Sequence, residues 1–157
     1  MKHFSICLLV FCYLCLGETR EWPRHTICKL KDFEAYYQSC DPLQDIGFSL
    51  NPCKNLYEHD VNISLGVTLR HDINSLHYSL IAFYNEHALL TQEFFLCQND
   101  YQAYSFCGKK KGDFIFFQHP LRTDAALKLK GHFRISINMF NEDNFMIVCV
   151  NFLINLL

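Results

Sequence analysis

From Val61 to Arg70 every second residue is apolar: Val61, Ile63, Leu65, Val67 and Leu69 alternate with Asn62, Ser64, Gly66, Thr68 and Arg70. Successive side chains of an extended chain point to opposite faces, so this period of two marks a strand with one buried face. The same period recurs along the chain. Ile46, Phe48 and Leu50 alternate with Gly47 and Ser49, ending at Asn51-Pro52-Cys53. Leu76, Tyr78, Leu80 and Ala82 alternate with His77, Ser79, Ile81 and Phe83. Phe133, Ile135, Ile137 and Met139 follow Gly131, and Met146, Val148, Val150 and Phe152 share one face of the last segment. Shorter strand-like runs are Glu34–Ser39, Leu89–Leu96 and Phe114–Phe117. Turn signals separate them: Asp41-Pro42, Arg70-His71-Asp72 and the polar run Asn141–Asn144. Lys54–Asp60 and the stretch around His119-Pro120 read as polar connections, Glu18–His25 as irregular, and Ala125–Lys130 as a strand or one helical turn. No segment has a convincing amphipathic helical pattern. Many short strands with turns between them predict an all-β sandwich or barrel.

The chain has 157 residues, enough for one domain with a real core. Its start reads as a secretory leader. Lys2 and His3 precede an apolar run from Phe4 to Leu16, shorter than the ~20 residues a bilayer span takes. Small residues at Cys15 and Gly17 predict cleavage after Gly17. Residues 1–17 are then a signal peptide, 18–157 one domain, and the product is secreted. Of nine cysteines, three (Cys7, Cys12, Cys15) leave with the leader. The remaining Cys28, Cys40, Cys53, Cys97, Cys107 and Cys149 read as three disulfides, with about 15 pairings open. No Cys-x-x-Cys pair exists and no histidine sits at ligand spacing from a cysteine pair, which disfavours a metal site. Asn62-Ile63-Ser64 is a glycosylation acceptor on the wet face of its strand.

Cys97 and Cys107 enclose a loop that is polar except for aromatics at its end. A bridge there contributes about 3 kcal/mol, mainly by restricting the unfolded chain. The pattern reads as a hairpin stapled by a disulfide, with Tyr104 and Phe106 pointing the same way. Gly108 and Gly112 then bracket three lysines as a charged turn.

A net charge of −2 argues against a nucleic-acid footprint, which needs a basic stripe. There is no nucleophile elbow, no His-Glu-x-x-His and no phosphate-cradling loop, so no catalytic residues are assigned and no enzyme is expected. The positive signal is apolar excess. The chain is 50% hydrophobic, with fifteen Phe and eight Tyr. Such a surplus either fills a sandwich core or lines a cavity for an apolar ligand, and pattern alone favours the filled core. Lys109, Lys110, Lys111, Arg122, Lys128, Lys130 and Arg134 are basic residues that could meet anionic headgroups at a cavity mouth.

Three stretches carry a resemblance: Tyr37-Gln-Ser-Cys40-Asp-Pro-Leu-Gln-Asp45, Asn51-Pro-Cys53 and Tyr104-Ser-Phe-Cys107-Gly-Lys-Lys-Lys-Gly112. Together they resemble the ML-type lipid-recognition domains, from about Trp22 to the C-terminus. The resemblance implies an immunoglobulin-like β-sandwich whose two sheets part to form a hydrophobic cavity. It implies the pairings Cys28 with Cys53, Cys40 with Cys149 and Cys97 with Cys107. It turns the inward positions into lipid-lining candidates: Ile46, Phe48, Leu50, Ile63, Leu65, Val67, Leu76, Tyr78, Leu80, Tyr104, Phe106, Ile115, Phe117, Phe133, Ile137, Val148, Val150 and Phe152. Arg122, Lys128 and Arg134 fall roughly at the rim the family uses. No cofactor or metal is implied; a bound phospholipid or lipid A-like ligand is. The implied partner is a leucine-rich-repeat relative of the Toll-like receptors on B cells and myeloid cells, in a two-plus-two receptor complex. The implied role is a secreted accessory subunit, held at the cell surface by that receptor, modulating innate and B-cell responses to lipopolysaccharide. The alternative within the same fold is a soluble lipid or sterol carrier that needs no receptor.

Overall fold

The alternating segments pair into antiparallel sheets in the computed structural model, which describes residues 21–53, 61–98, 104–121 and 130–157. The leader, the Lys54–Asp60 connection, Arg122 and Lys128 lie outside the described residues, as does nearly all of Ala125–Lys130. Nine strands are formed among those described: β1 (His25–Lys29), β2 (Phe33–Ser39), β3 (Gly47–Asn51), β4 (Val61–Thr68), β5 (Leu76–Tyr84), β6 (His87–Cys97), β7 (Phe114–Leu121), β8 (Gly131–Asn141) and β9 (Met146–Leu156). One sheet has six strands in the order β1-β2-β9-β8-β5-β6, the other three in the order β3-β4-β7. Their apolar faces meet as a two-layer sandwich.

β8 and β9 sit at the centre of the larger sheet and pair from Gly131↔Leu156 to Phe140↔Met146. The Asn141–Asn144 turn joins them. Asn141 is buried there; its Oδ1 accepts the Phe145 N–H at 2.8 Å, and its Nδ2 donates to the Asp72 carbonyl at 3.0 Å. One short polar side chain thus satisfies the turn and fixes the neighbouring loop.

Three disulfides form: Cys28–Cys53, Cys40–Cys149 and Cys97–Cys107. The first joins β1 to the end of β3, which is also where the described strands of the two layers come closest. Two apolar clusters result. The larger, around Val67, Ile73, Val150 and Phe152, lies between the sheets. The smaller, around Phe33, Val61 and Leu156, lies beside the Cys28–Cys53 bridge.

The structure corrects the sequence reading at three places. His25–Lys29 forms a strand although only Ile27 and Cys28 in it are apolar; pairing with β2 and the disulfide supply what alternation does not. β7 continues through Gln118, His119 and Pro120 to Leu121 instead of ending at Phe117. β7 is an edge strand of its sheet, where a proline's missing N–H need not be missed. Finally, the Cys97–Cys107 loop is not a hairpin. β6 belongs to the six-stranded sheet and β7 to the three-stranded one, so the loop is a crossover between layers.

Where β2 gives way to β3, burial disfavours the Asp45 carboxylate. Hydrogen bonds from Ser39 Oγ (2.5 Å), the His25 ring (2.9 Å) and the Ile46 N–H (2.9 Å) outweigh that and hold its pKa below the ordinary value. A depressed carboxyl contributes stability that is present above the unfolded pKa and lost as pH falls through the folded one. Asp45→Asn should therefore be less stable than the parent at neutral pH, with the gap closing in acid. Urea midpoints across that range check this, and a gap that ignores pH would assign the cost to lost hydrogen bonds alone.

Candidate functional site

The two sheets enclose a cavity of about 340 Å³. The small sheet contributes Phe48, Ile63, Leu65, Val67, Ile115 and Phe117. The large sheet contributes Leu76, Tyr78, Phe94, Leu96, Ile137, Met139, Ile147, Val148, Val150 and Phe152. Tyr104 and Phe106 come from the crossover and Ile73 from the β4–β5 loop. Every wall residue is apolar or tyrosine, so the tyrosine hydroxyls are the only polar side-chain groups on the described wall. Burial pushes the Tyr78 phenol pKa up, which keeps the group neutral.

The wall is graded in depth. Ile73 and Val150 are 1% and 2% exposed and form the floor. Phe94 and Tyr104 are 45% and 39% exposed and mark the mouth, where β6 runs into the crossover. Aromatic contacts hold this end in shape. Tyr104 stacks on Phe106 with ring centroids 5.0 Å apart, and Phe106 meets Phe117 edge-on at 5.8 Å. Tyr78 lies 4.7 Å from Phe94 across the β5–β6 ladder. Deeper in, Phe48 and Phe152 bridge the layers edge-to-face at 4.8 Å.

Fourteen of the eighteen inward positions named from sequence lie on this wall; Ile46, Leu50, Leu80 and Phe133 do not. Ile46 is buried in the main core, with its carbonyl accepting the Tyr37 hydroxyl at 3.0 Å. Leu50 and Phe133 pack in the smaller cluster beside the Cys28–Cys53 bridge. Leu80 stays half-buried on β5, between Gln92 and Ile137 in register.

Five wall residues are not among those eighteen: Ile73, Phe94, Leu96, Ile147 and Met139, the last of which shares the alternation of Phe133, Ile135 and Ile137. Two of them are extra residues at register shifts. Leu96 falls between the pairs His77↔Phe95 and Leu76↔Cys97, and Ile147 between Met139↔Val148 and Phe140↔Met146. A bulge resets alternation, so Ile147, which strict period two sends outward beside Val148, turns inward, whereas Leu96 simply shares a face with Phe94. Ile73 sits in a loop, where period says nothing.

The basic residues divide. Arg134 lies on the outer face of β8, its guanidinium 4.0 Å from the Phe83 ring centroid and 3.6 Å from Glu86, not at the cavity rim. The alternation that sends Phe133, Ile135 and Ile137 inward sends Arg134 out. Lys110 pairs with Asp72 at 3.2 Å, in a turn stitched to Ile73 by the Gly108 N–H (2.7 Å) and the Lys109 carbonyl (2.9 Å). That turn backs the floor. Asn62 is exposed on β4. Among the described residues no group of three His, Cys, Asp or Glu could hold a metal ion.

No family model matches the chain. It is 32% identical over 152 residues to lymphocyte antigen 86 of Gallus gallus, covering 97% of this chain and 95% of that one. Against lymphocyte antigen 86 of Mus musculus the identity is 33% over 135 residues, covering 86% and 83%. The crystal structure of chicken MD-1 complexed with lipid IVa superposes with a TM-score of 0.76 at 32% identity, covering 87% of this chain and 99% of that one. The likeness covers most of both chains: this chain belongs to the lymphocyte antigen 86 family and has its ML-type sandwich fold.

Proposed function

We propose that this protein is a secreted, lipid-binding accessory subunit of innate immunity that works with a leucine-rich-repeat, Toll-like receptor on B cells and myeloid cells. The observation that carries the proposal is the cavity. A sandwich that served only as a folded adaptor would interdigitate its aromatics, whereas here they face about 340 Å³ of space. That lies at the lower end of the roughly 300–1,000 Å³ range of ligand pockets. The chicken relative of the same fold was crystallised with lipid IVa.

The wall residues are then contacts for hydrocarbon. Burying about ten methylenes contributes roughly 8 kcal/mol before the losses of association are counted. A headgroup stays at Phe94 and Tyr104, where the wall meets water. Asn62, exposed on β4, is the proposed glycan site.

Denaturing mass spectrometry of the folded, secreted protein should release acyl-chain lipid, and glycosidase treatment should lower its mass unless Asn62 is replaced by Gln. A lipid-free product with no affinity for added phospholipid or lipid A would overturn the ligand assignment. Capture on cells with and without the leucine-rich-repeat receptor tests the partner. Equal capture on both would leave a receptor-independent lipid carrier.

A further inference from the structure

β6 is an edge of the six-stranded sheet, and among the described residues no strand pairs with its outer side. Its first nine residues are all exposed. Natural edge strands are usually protected by lysine, proline or shortness. β6 is eleven residues long and has no Lys, Arg or Pro; Glu93 is its one acidic residue. It instead exposes Leu89 (61%), Leu90 (45%), Phe94 (45%) and Phe95 (59%).

We propose that β6 is a self-association edge, pairing antiparallel with β6 of a second copy about a two-fold axis at Gln92, so that two six-stranded sheets become one. The register follows from the residue order. With the dyad at Gln92, Leu90 faces Phe94 of the second copy, Leu89 faces Phe95, and Thr91 faces Glu93. Apolar side chains meet apolar ones, the carboxylate meets a hydroxyl, and the two Gln92 amides meet each other. Moving the dyad to Thr91 sets Leu89 against Glu93. Moving it to Glu93 opposes two carboxylates, which destabilises a strand pair. Leu90–Phe95 is a regular run between the irregularities at Leu89 and Leu96, so the central pairs need no rearrangement. A closed two-fold contact uses the same patch twice, as this strand does.

The uncovered area is adequate. At ~200 Å² per large apolar side chain, the four leave about 400 Å² on each copy and about 800 Å² in the pair. The exposed Thr91, Gln92 and Glu93 with their backbone supply the rest of the ~1,000 Å² that a specific interface must clear. Because Phe94 also stands at the cavity mouth, pairing places Leu90 of the second copy over that rim.

Analytical ultracentrifugation of the secreted protein without receptor should show a concentration-dependent dimer. Gln92→Lys puts two ammonium groups face to face at the axis and should weaken the dimer at least tenfold while leaving lipid content unchanged. Gln92→Cys should cross-link to itself under mild oxidation, since opposed Cα atoms in an antiparallel pair are about 4.5–5.5 Å apart. Leu89→Cys, six residues from its own counterpart in this register, should not. A protein that stays monomeric at every attainable concentration, a dimer indifferent to Gln92→Lys, or equal cross-linking of both cysteine variants would overturn the proposal.

Discussion

Replacing Cys40 and Cys149 together by alanine should remove about 4–5 kcal/mol of stability and lower the Tm by roughly 10–20 °C. The bridge spans 109 residues, more than two thirds of the 157-residue chain, so the unfolded state gains much freedom when it is cut. It also sits where Ser39 pairs with Val150, and the Cys40 N–H donates to the Cys149 carbonyl at 3.0 Å. The folded state therefore keeps its geometry without the bridge, and the loss falls on the denatured side of the balance. Cutting Cys97–Cys107, with a separation of 10, should cost about 3 kcal/mol by the same reasoning. Urea unfolding of the two double variants beside the parent checks both values. A Cys40/Cys149 loss no larger than the Cys97/Cys107 loss would show that loop length does not govern these bridges.

Leu65→Trp should empty the cavity without unfolding the protein. Leu65 is partly buried on β4, flanked in register by Phe48 and Phe117, and all three face the cavity. An indole there occupies the space a hydrocarbon tail would take. In a filled core such an enlargement costs about 1–3 kcal/mol in strain. Here it enters open volume, so the lipid-free Tm should hold or rise. Lipid content by denaturing mass spectrometry should fall at least about tenfold, a change of ~1.4 kcal/mol in binding. Retained lipid together with a large drop in Tm would place the guest elsewhere and show Leu65 in a packed core.

Strand content and the inward faces were legible because period two is a strong local signal. Val61–Thr68 forms β4, with Val61 and Val67 buried. The boundaries and breaks in period were not. Pro120 suggests an end to β7, yet an edge position tolerates it. Ile147 turns inward only because its partner strand holds one residue fewer, which no single segment reveals. Leu50 and Phe133 have the right alternation but sit too near the Cys28–Cys53 end, where the layers meet and leave no space. The choice between a filled and a hollow interior depends on the distance between layers, and local pattern does not encode that distance.

The bridge between β1 and β3 makes the sandwich a bound book. Its covers cannot swing apart at the spine, so any widening comes along the fore-edge, where β6 passes over to β7. On the reading proposed above, a molecule shelved inside slides in and out past Phe94 and Tyr104. The rate at which cargo changes hands then follows the breathing of that margin, independently of how firmly the spine resists melting.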